Sequence, residues 1–137
     1  MWFWGILAAV VAALIFVRMA PSDARRWHKA DPFDADADWI GGARRVLKGQ
    51  SEGDFARLDG IARATPRTTV LAGNVAEGCI TYVTRTRWIG FPDYTTIQLQ
   101  QGRILILGRL RFGRSDFGVN RARIKRWVAA LQQGSQA

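Results

Sequence analysis

Residues 2–17 read Trp-Phe-Trp-Gly-Ile-Leu-Ala-Ala-Val-Val-Ala-Ala-Leu-Ile-Phe-Val, sixteen positions without a charge, closed by Arg18. Nothing else in the chain limits its fold so strongly. A helix rises about 1.5 Å per residue, so the block covers roughly 24 Å, against a hydrocarbon core of about 30 Å. Arg18 extends that reach by snorkelling, and Trp2 and Trp4 suit the headgroup boundary. The block is apolar all round, which points to lipid or a deep core and not to an amphipathic surface helix. The reading adopted is a spanning anchor over residues 1–20, stopped by Pro21, Ser22 and Asp23. A buried soluble helix and a cleaved signal peptide are the alternatives; the second lacks a basic leading region and a small-x-small cleavage site.

No Lys or Arg precedes the block, whereas Arg18, Arg25, Arg26 and Lys29 follow it closely. The positive-inside tendency then places the rest of the chain in the cytoplasm, under an inner (cytoplasmic) membrane. Asp31, Asp34, Asp36 and Asp38 come next and weaken that asymmetry.

What remains after the anchor is enough for one domain. Residues 21–38 read as a linker, with two prolines, five aspartates and two isolated aromatics, Trp27 and Phe33, able to pin it to a surface. Residues 39–134 read as a small basic α+β domain. Lys and Arg total 20 against 11 Asp and Glu, a net charge of +9, and seventeen of the twenty are Arg. Such a balance suggests an anionic partner without choosing among nucleic acid, lipid headgroups and acidic protein.

Within the domain, residues 39–48 are expected to form a short helix weakened by Gly41 and Gly42. Phe55, Leu58, Ile61 and Ala62 recur at helical spacing, predicting a helix over 54–64 that ends at Thr65-Pro66. Four strand-like runs follow at 68–72, 79–87, 94–100 and 103–112, separated by glycine-bearing turns. In the last, Ile104 to Leu107 is apolar on both faces, which predicts cover on both sides. Ile124, Trp127, Val128 and Leu131 make one stripe of a final helix, with Arg121, Arg123, Lys125 and Arg126 on its wet remainder. The expected fold is α+β: a transmembrane helix plus a two-layer domain of four antiparallel strands with flanking helices on one sheet face.

Chemistry-bearing motifs are scarce. There is no zinc, phosphate-loop or dinucleotide pattern. The single His28 sits beside the anchor, and the single Cys79 opens a strand with no base in view. No metal or cofactor is expected, and the chain is read as not an enzyme. The arginines are more telling. Alternation puts Arg85 and Arg87 on one face of their strand and Arg109 and Arg111 on one face of theirs. If those faces coincide, four guanidiniums would meet and grip a phosphate or carboxylate; otherwise they are two solvated rims.

The run Gly113-Arg114-Ser115-Asp116-Phe117-Gly118-Val119-Asn120-Arg121-Ala122-Arg123-Ile124 is distinctive. It resembles the C-terminal signature of the family known as domain of unknown function 1499. The strand around Tyr82 to Thr86 and the segment Phe91-Pro92-Asp93 are similar to that family's middle section. This chain departs from the family in reading Tyr94 after Asp93, and in a strand without the usual serines at Gly108-Arg109-Leu110-Arg111-Phe112. The resemblance implies a bacterial or plastid-type protein, often membrane-associated, and no established activity. Read from its residues, the run fixes a strand-to-helix corner: Gly118 permits the sharp turn, Asp116 caps the helix, and Asn120 bonds locally. It also offers Arg114, Asp116, Asn120 and Arg121 as an interaction surface.

The expected function is a membrane-tethered, non-catalytic interaction domain, possible accessory subunit of a larger complex. The alternatives are an anion or lipid-headgroup module using the arginines, and a nucleic-acid binder. Lipid along residues 2–20 and a membrane protein are the expected partners; nucleic acid is disfavoured.

Overall fold

The structure, a computed structural model, describes residues 1–29 and 31–134. The apolar block forms α1 (Trp2–Met19), none of whose residues is buried against the protein. With a mean hydropathy of 2.1 over 18 residues, it is long and apolar enough to cross a membrane. A short helix, α2 (Ala24–Trp27), follows, its first turn capped by the Asp23 carboxylate.

Six strands, not four, make the sheet: β1 (Ala37–Trp39), β2 (Gly42–Lys48), β3 (Thr68–Asn74), β4 (Cys79–Arg85), β5 (Pro92–Gln100) and β6 (Arg103–Leu110). Their order is β1-β2-β6-β5-β4-β3, antiparallel throughout. The two additional strands replace the helix expected over 39–48. Gly41 and Gly42 handicap a helix there, whereas β6 offers β2 a full ladder, from Gly42 opposite Arg109 to Lys48 opposite Arg103. Gly42 is required in that ladder: a Cβ would run into the Gly108 carbonyl and the Trp39 ring.

Two helices, α3 (Glu52–Ala64) and α4 (Val119–Gly134), lie on one face. A capping box, Ser51 with Asp54, starts α3. The core between layers holds Phe55, Leu58 and Ala62 from α3, Ile124, Trp127 and Leu131 from α4, and Ile80, Tyr82, Ile97, Ile104 and Ile106 from the sheet. The alternation of those sheet residues is what a half-buried strand face requires.

The opposite face is covered by the segment read as a linker. Trp27 stacks on Tyr94 with ring centroids 4.0 Å apart and planes 11° from parallel, and Val83 and Leu71 close the patch. Further along, the Gln98 amide donates to the Asp31 carbonyl at 3.2 Å, and Asp36 accepts from the Val46 amide at 2.8 Å. The described residues of 21–38 therefore belong to the folded unit, and of the stretch expected to be covered on both sides, Ile104 to Leu107, the first three are buried while Leu107 is half-buried.

Candidate functional site

The register settles which arginines share a face. Val83 pairs Tyr94, and Tyr94 pairs Arg109, so these three side chains project from the same side of the sheet. Arg85 lies two residues further along β4, on that side, and Arg111, one residue past the end of β6, reaches the Tyr94 hydroxyl at the same end. Arg87 lies beyond β4, its guanidinium 5.0 Å from the adjacent Trp88 ring. Three of the quartet are thus brought together.

Those three are turned onto the backbone that leaves α1. Arg85 donates to the carbonyls of Val17 (3.5 Å), Ala20 (3.4 Å) and Gly90 (2.9 Å). Arg111 donates to the Pro21 carbonyl at 2.7 Å and to the Tyr94 hydroxyl at 3.1 Å. Arg109 donates to the Trp27 carbonyl and to Thr96 Oγ1, with Trp27 packed over its guanidinium. Carbonyls at a helix C-terminus lack intrahelical donors and carry partial negative charge, so a guanidinium is well matched to them. Ser22 bonding the Tyr94 hydroxyl at 2.7 Å and His28 Nδ1 bonding Thr81 Oγ1 at 2.8 Å complete the attachment. The arginines form a clamp that fixes the direction in which α1 leaves the domain.

The signature run makes a second constellation, at the same end of the sheet. After β6 the chain turns through Gly113, crosses back over the β1–β2 turn by a bond from the Asp116 amide to the Ile40 carbonyl, and starts α4. Asp116 braces this corner: its carboxylate accepts from the amides of Gly118 (2.9 Å) and Asn120 (3.1 Å) and from the Asn120 side chain (2.9 Å). Asn120 is wholly buried, and its carbonyl oxygen accepts from Arg123 at 2.8 Å. Gly108 leaves room for it, since a Cβ there would lie 2.9 Å from Asn120 Oδ1.

Arg123 corrects the sequence reading. Expected on the wet face of the helix, it is buried, with its side chain 5% exposed and paired at 3.3 Å with Asp93, 8% exposed. Its position explains this, because it lies three residues after Asn120 and four before Trp127, on the inward stripe. Asp93 and Arg123 are the site residues that sequence reasoning missed, and that spacing was the available signal. Burial pushes the Asp93 carboxyl up from its ordinary range, more than Arg123 pulls it down.

Between Asp93, Phe91, Leu110, Phe112 and the signature loop lies a mostly apolar cleft of about 450 Å³. Phe117 stands at its rim, 93% exposed, with φ +53°. Arg114 is exposed on the same rim, and Arg121 reaches towards Asp38 at 3.9 Å. Nothing here resembles an activated nucleophile. Burial pushes the Cys79 thiol up, and Glu77 adds to the shift. The Tyr82 hydroxyl donates to Asp59 at 2.6 Å, and burial together with that carboxylate holds the phenol protonated. Among the described residues, no three His, Cys, Asp or Glu side chains converge to hold a metal ion.

No curated protein and no solved structure matches the chain. A family model does, that of a protein of unknown function, DUF1499, over residues 17–131. The match runs from the last turn of α1 through the connector and the clamp to the inward stripe of α4, and on that span the chain belongs to the DUF1499 family.

Proposed function

We propose that the chain is a single-pass membrane protein whose non-catalytic domain is held rigidly on its anchor and binds a membrane protein, as an accessory subunit of a larger complex. The cytoplasmic side of an inner membrane remains the favoured location, from the basic residues that follow α1. The observation that carries the interaction reading is Phe117. A large aromatic side chain in the left-handed region is costly, and surrounding bonds must impose it. Here Asp116 and Gly118 impose it, yet the ring touches little of its own domain. Val119, also exposed, lines the same cleft, Arg114 stands at its edge, and Arg121 shares with Phe117 the neighbouring groove along α4. An aromatic anchor flanked by arginines is the usual make-up of a binding hot spot, and the positive rim suits an acidic partner surface.

This reading also accounts for the arginine content without nucleic acid. Arg85, Arg109, Arg111 and Arg123 are engaged inside the fold and do not form an exposed stripe.

The test is extraction of the C-terminally tagged full chain from its native membranes in mild detergent, beside Phe117→Ser. A membrane protein recovered in fixed ratio with the unmodified chain and lost with the variant, at equal yield of folded protein, is the expected result. Equal recovery with both, or recovery of the chain alone, would overturn it.

A further inference from the structure

The strand register gathers the exposed apolar side chains of the domain at one end. Beyond α1, from residue 20 onward, the large apolar residues most open to solvent are Trp39, Ile40, Val75, Trp88, Ile89, Phe117 and Val119. All but Val75 lie in the loops, or in the strand and helix ends next to them, at the end of the sheet where Arg85 and Arg111 hold the chain leaving α1. Two of them are placed against α1 itself. Trp88, 82% exposed, and Ile89 form with Val11, Leu14, Ile15 and Arg18 an apolar groove of about 210 Å³. Val11 lies about 10 Å up the helix from Arg18, so the tip of the loop between β4 and β5 rises alongside the last two turns of α1.

That loop is built to hold its position. Thr86 Oγ1 accepts from the amides of Gly90 (3.1 Å) and Phe91 (2.9 Å), and the Thr86 amide donates to the Phe91 carbonyl at 3.0 Å. Gly90, with φ +82°, lets the backbone close on Arg18, whose Cγ would lie 3.1 Å from any Cβ there.

Directly beneath the groove, and sharing Arg18 with it, is a cleft of about 350 Å³ lined by Arg18, Arg67, Arg85 and Arg87 with Thr69 and Thr86. Among the described residues no carboxylate lines it, and none of the four arginines takes part in an ion pair. Arg85 is engaged with carbonyls, and Arg67 uses its Nε on the Arg85 carbonyl. Among the described residues, the terminal nitrogens of Arg67 and the guanidiniums of Arg18 and Arg87 meet no hydrogen-bond acceptor. Four like charges around one cleft repel unless an anion joins them, and a planar guanidinium is suited to grip a phosphate through two donors.

We propose that this cleft is a binding site for the phosphate headgroup of an anionic phospholipid, with an acyl chain in the groove between α1 and the Trp88–Ile89 loop. The two cavities occur in the order that a phospholipid requires, charge at the helix end and hydrocarbon beside the helix. Trp88 and Ile89 then sit in the same leaflet as the last turns of α1, and the domain is seated on the bilayer by its loops as well as by its anchor. The site rests on the reading of α1 as a membrane helix, and it is distinct from the protein-binding role given to Phe117.

The full chain reconstituted into phosphatidylcholine vesicles, with or without phosphatidylglycerol, tests both levels. Flotation with pure phosphatidylcholine vesicles after a high-salt wash reports the anchor alone. Failure there would remove the membrane reading itself. Native mass spectrometry of protein extracted from mixed vesicles reports the site. Phosphatidylglycerol should stay bound in preference to phosphatidylcholine. In Arg67→Glu/Arg87→Glu the retained amount should drop by about tenfold or more, with flotation unchanged. In a Trp2→Phe/Trp4→Phe background, Trp88→Phe should remove most of the fluorescence quenching that brominated lipid produces at that depth. Equal retention of the two lipids, or retention unchanged in the double variant, would overturn the site. Displacement of phosphatidylglycerol by inorganic phosphate at comparable concentration would show a free-anion site in place of a lipid site.

Discussion

The two faces of the sheet are held by different physics. On the helix face, Ile80, Tyr82, Ile97, Ile104 and Ile106 meet Phe55, Leu58, Ile124, Trp127 and Leu131 in a closed apolar layer. Burial of that kind is non-directional and grows with area. On the connector face, the sheet presents Thr81, Gln98, Tyr94, Arg109 and Arg111, and the covering segment is fixed by directional bonds between these groups and its carbonyls, the Ser22 hydroxyl and the His28 ring. The apolar patch there is smaller, Trp27 with Val83, Tyr94 and Leu71. The helix face makes the domain stable; the connector face decides how the domain sits on α1.

If that division holds, equivalent truncations on the two faces should fail in different ways. Ile106→Ala removes buried methylenes from the closed layer and should destabilise the whole domain by about 2–5 kcal/mol, seen as a lower denaturant midpoint in far-UV circular dichroism. Trp27→Ala also empties a buried site, but its partners beyond Tyr94 are few. It should free the connector before the domain unfolds: amide exchange at residues 20–28 rises strongly while exchange in α4 stays slow. Acceleration in α4 equal to that of Ile106→Ala would show one cooperative unit, and the comparison would be lost.

The same division marks what sequence could reveal. The helix face was legible, since its periodicities (Phe55, Leu58 and Ala62; Ile124, Trp127 and Leu131) are local and apolar. Strands β3 to β6 were legible from β-branched runs between glycine turns, and the corner at Asp116 and Gly118 from its capping chemistry. The β1–β2 hairpin was not, because residues 44–47 show no clean alternation and become a strand through pairing with a partner some sixty residues later. Parity put Arg109 and Arg111 on one face of their run; that Arg85 shares it came only with the register through Tyr94. Their use was not legible, because the acceptors are backbone carbonyls, which carry no residue-type signal and arrive only when the connector folds back. Arg123 was misplaced because its charge outweighed its position, and Asp93, thirty residues away, is what makes that position tolerable.

Asp93 sharpens the comparison by proton linkage. Burial raises its pKa in the folded state above the ordinary value of 3.8. A raised acid favours the folded state when protonated. Its contribution is therefore fully present below the unfolded pKa and is lost as pH rises through the folded one. The stability of the unmodified chain minus that of Asp93→Asn should accordingly fall as pH is raised from about 4 towards neutrality and then level off. Asp54, at the solvent-exposed start of α3, is lowered by the Ser51 amide and Arg57, and its contribution runs the other way, lost as pH falls. A difference that instead grows with pH would mean that Arg123 outweighs burial at this buried pair, making the helix face partly electrostatic like its opposite.

Phe117 gives the smallest effect and the finest discrimination. A residue on either face that is strained for the sake of packing loses stability when it is changed. Phe117 has the strain, with φ +53°, but 93% of its surface is exposed, so its ring contributes almost nothing to the core. Asn adopts the left-handed region at lower cost. Phe117→Asn should therefore raise stability, by about 0.5–1 kcal/mol, while removing the aromatic anchor on which partner binding depends. That pairing of a gain in stability with a loss of association is what a position kept for binding predicts. A loss of stability would mean that the ring closes the cleft above Asp93 for structural reasons, and that the signature run exists to build the corner alone.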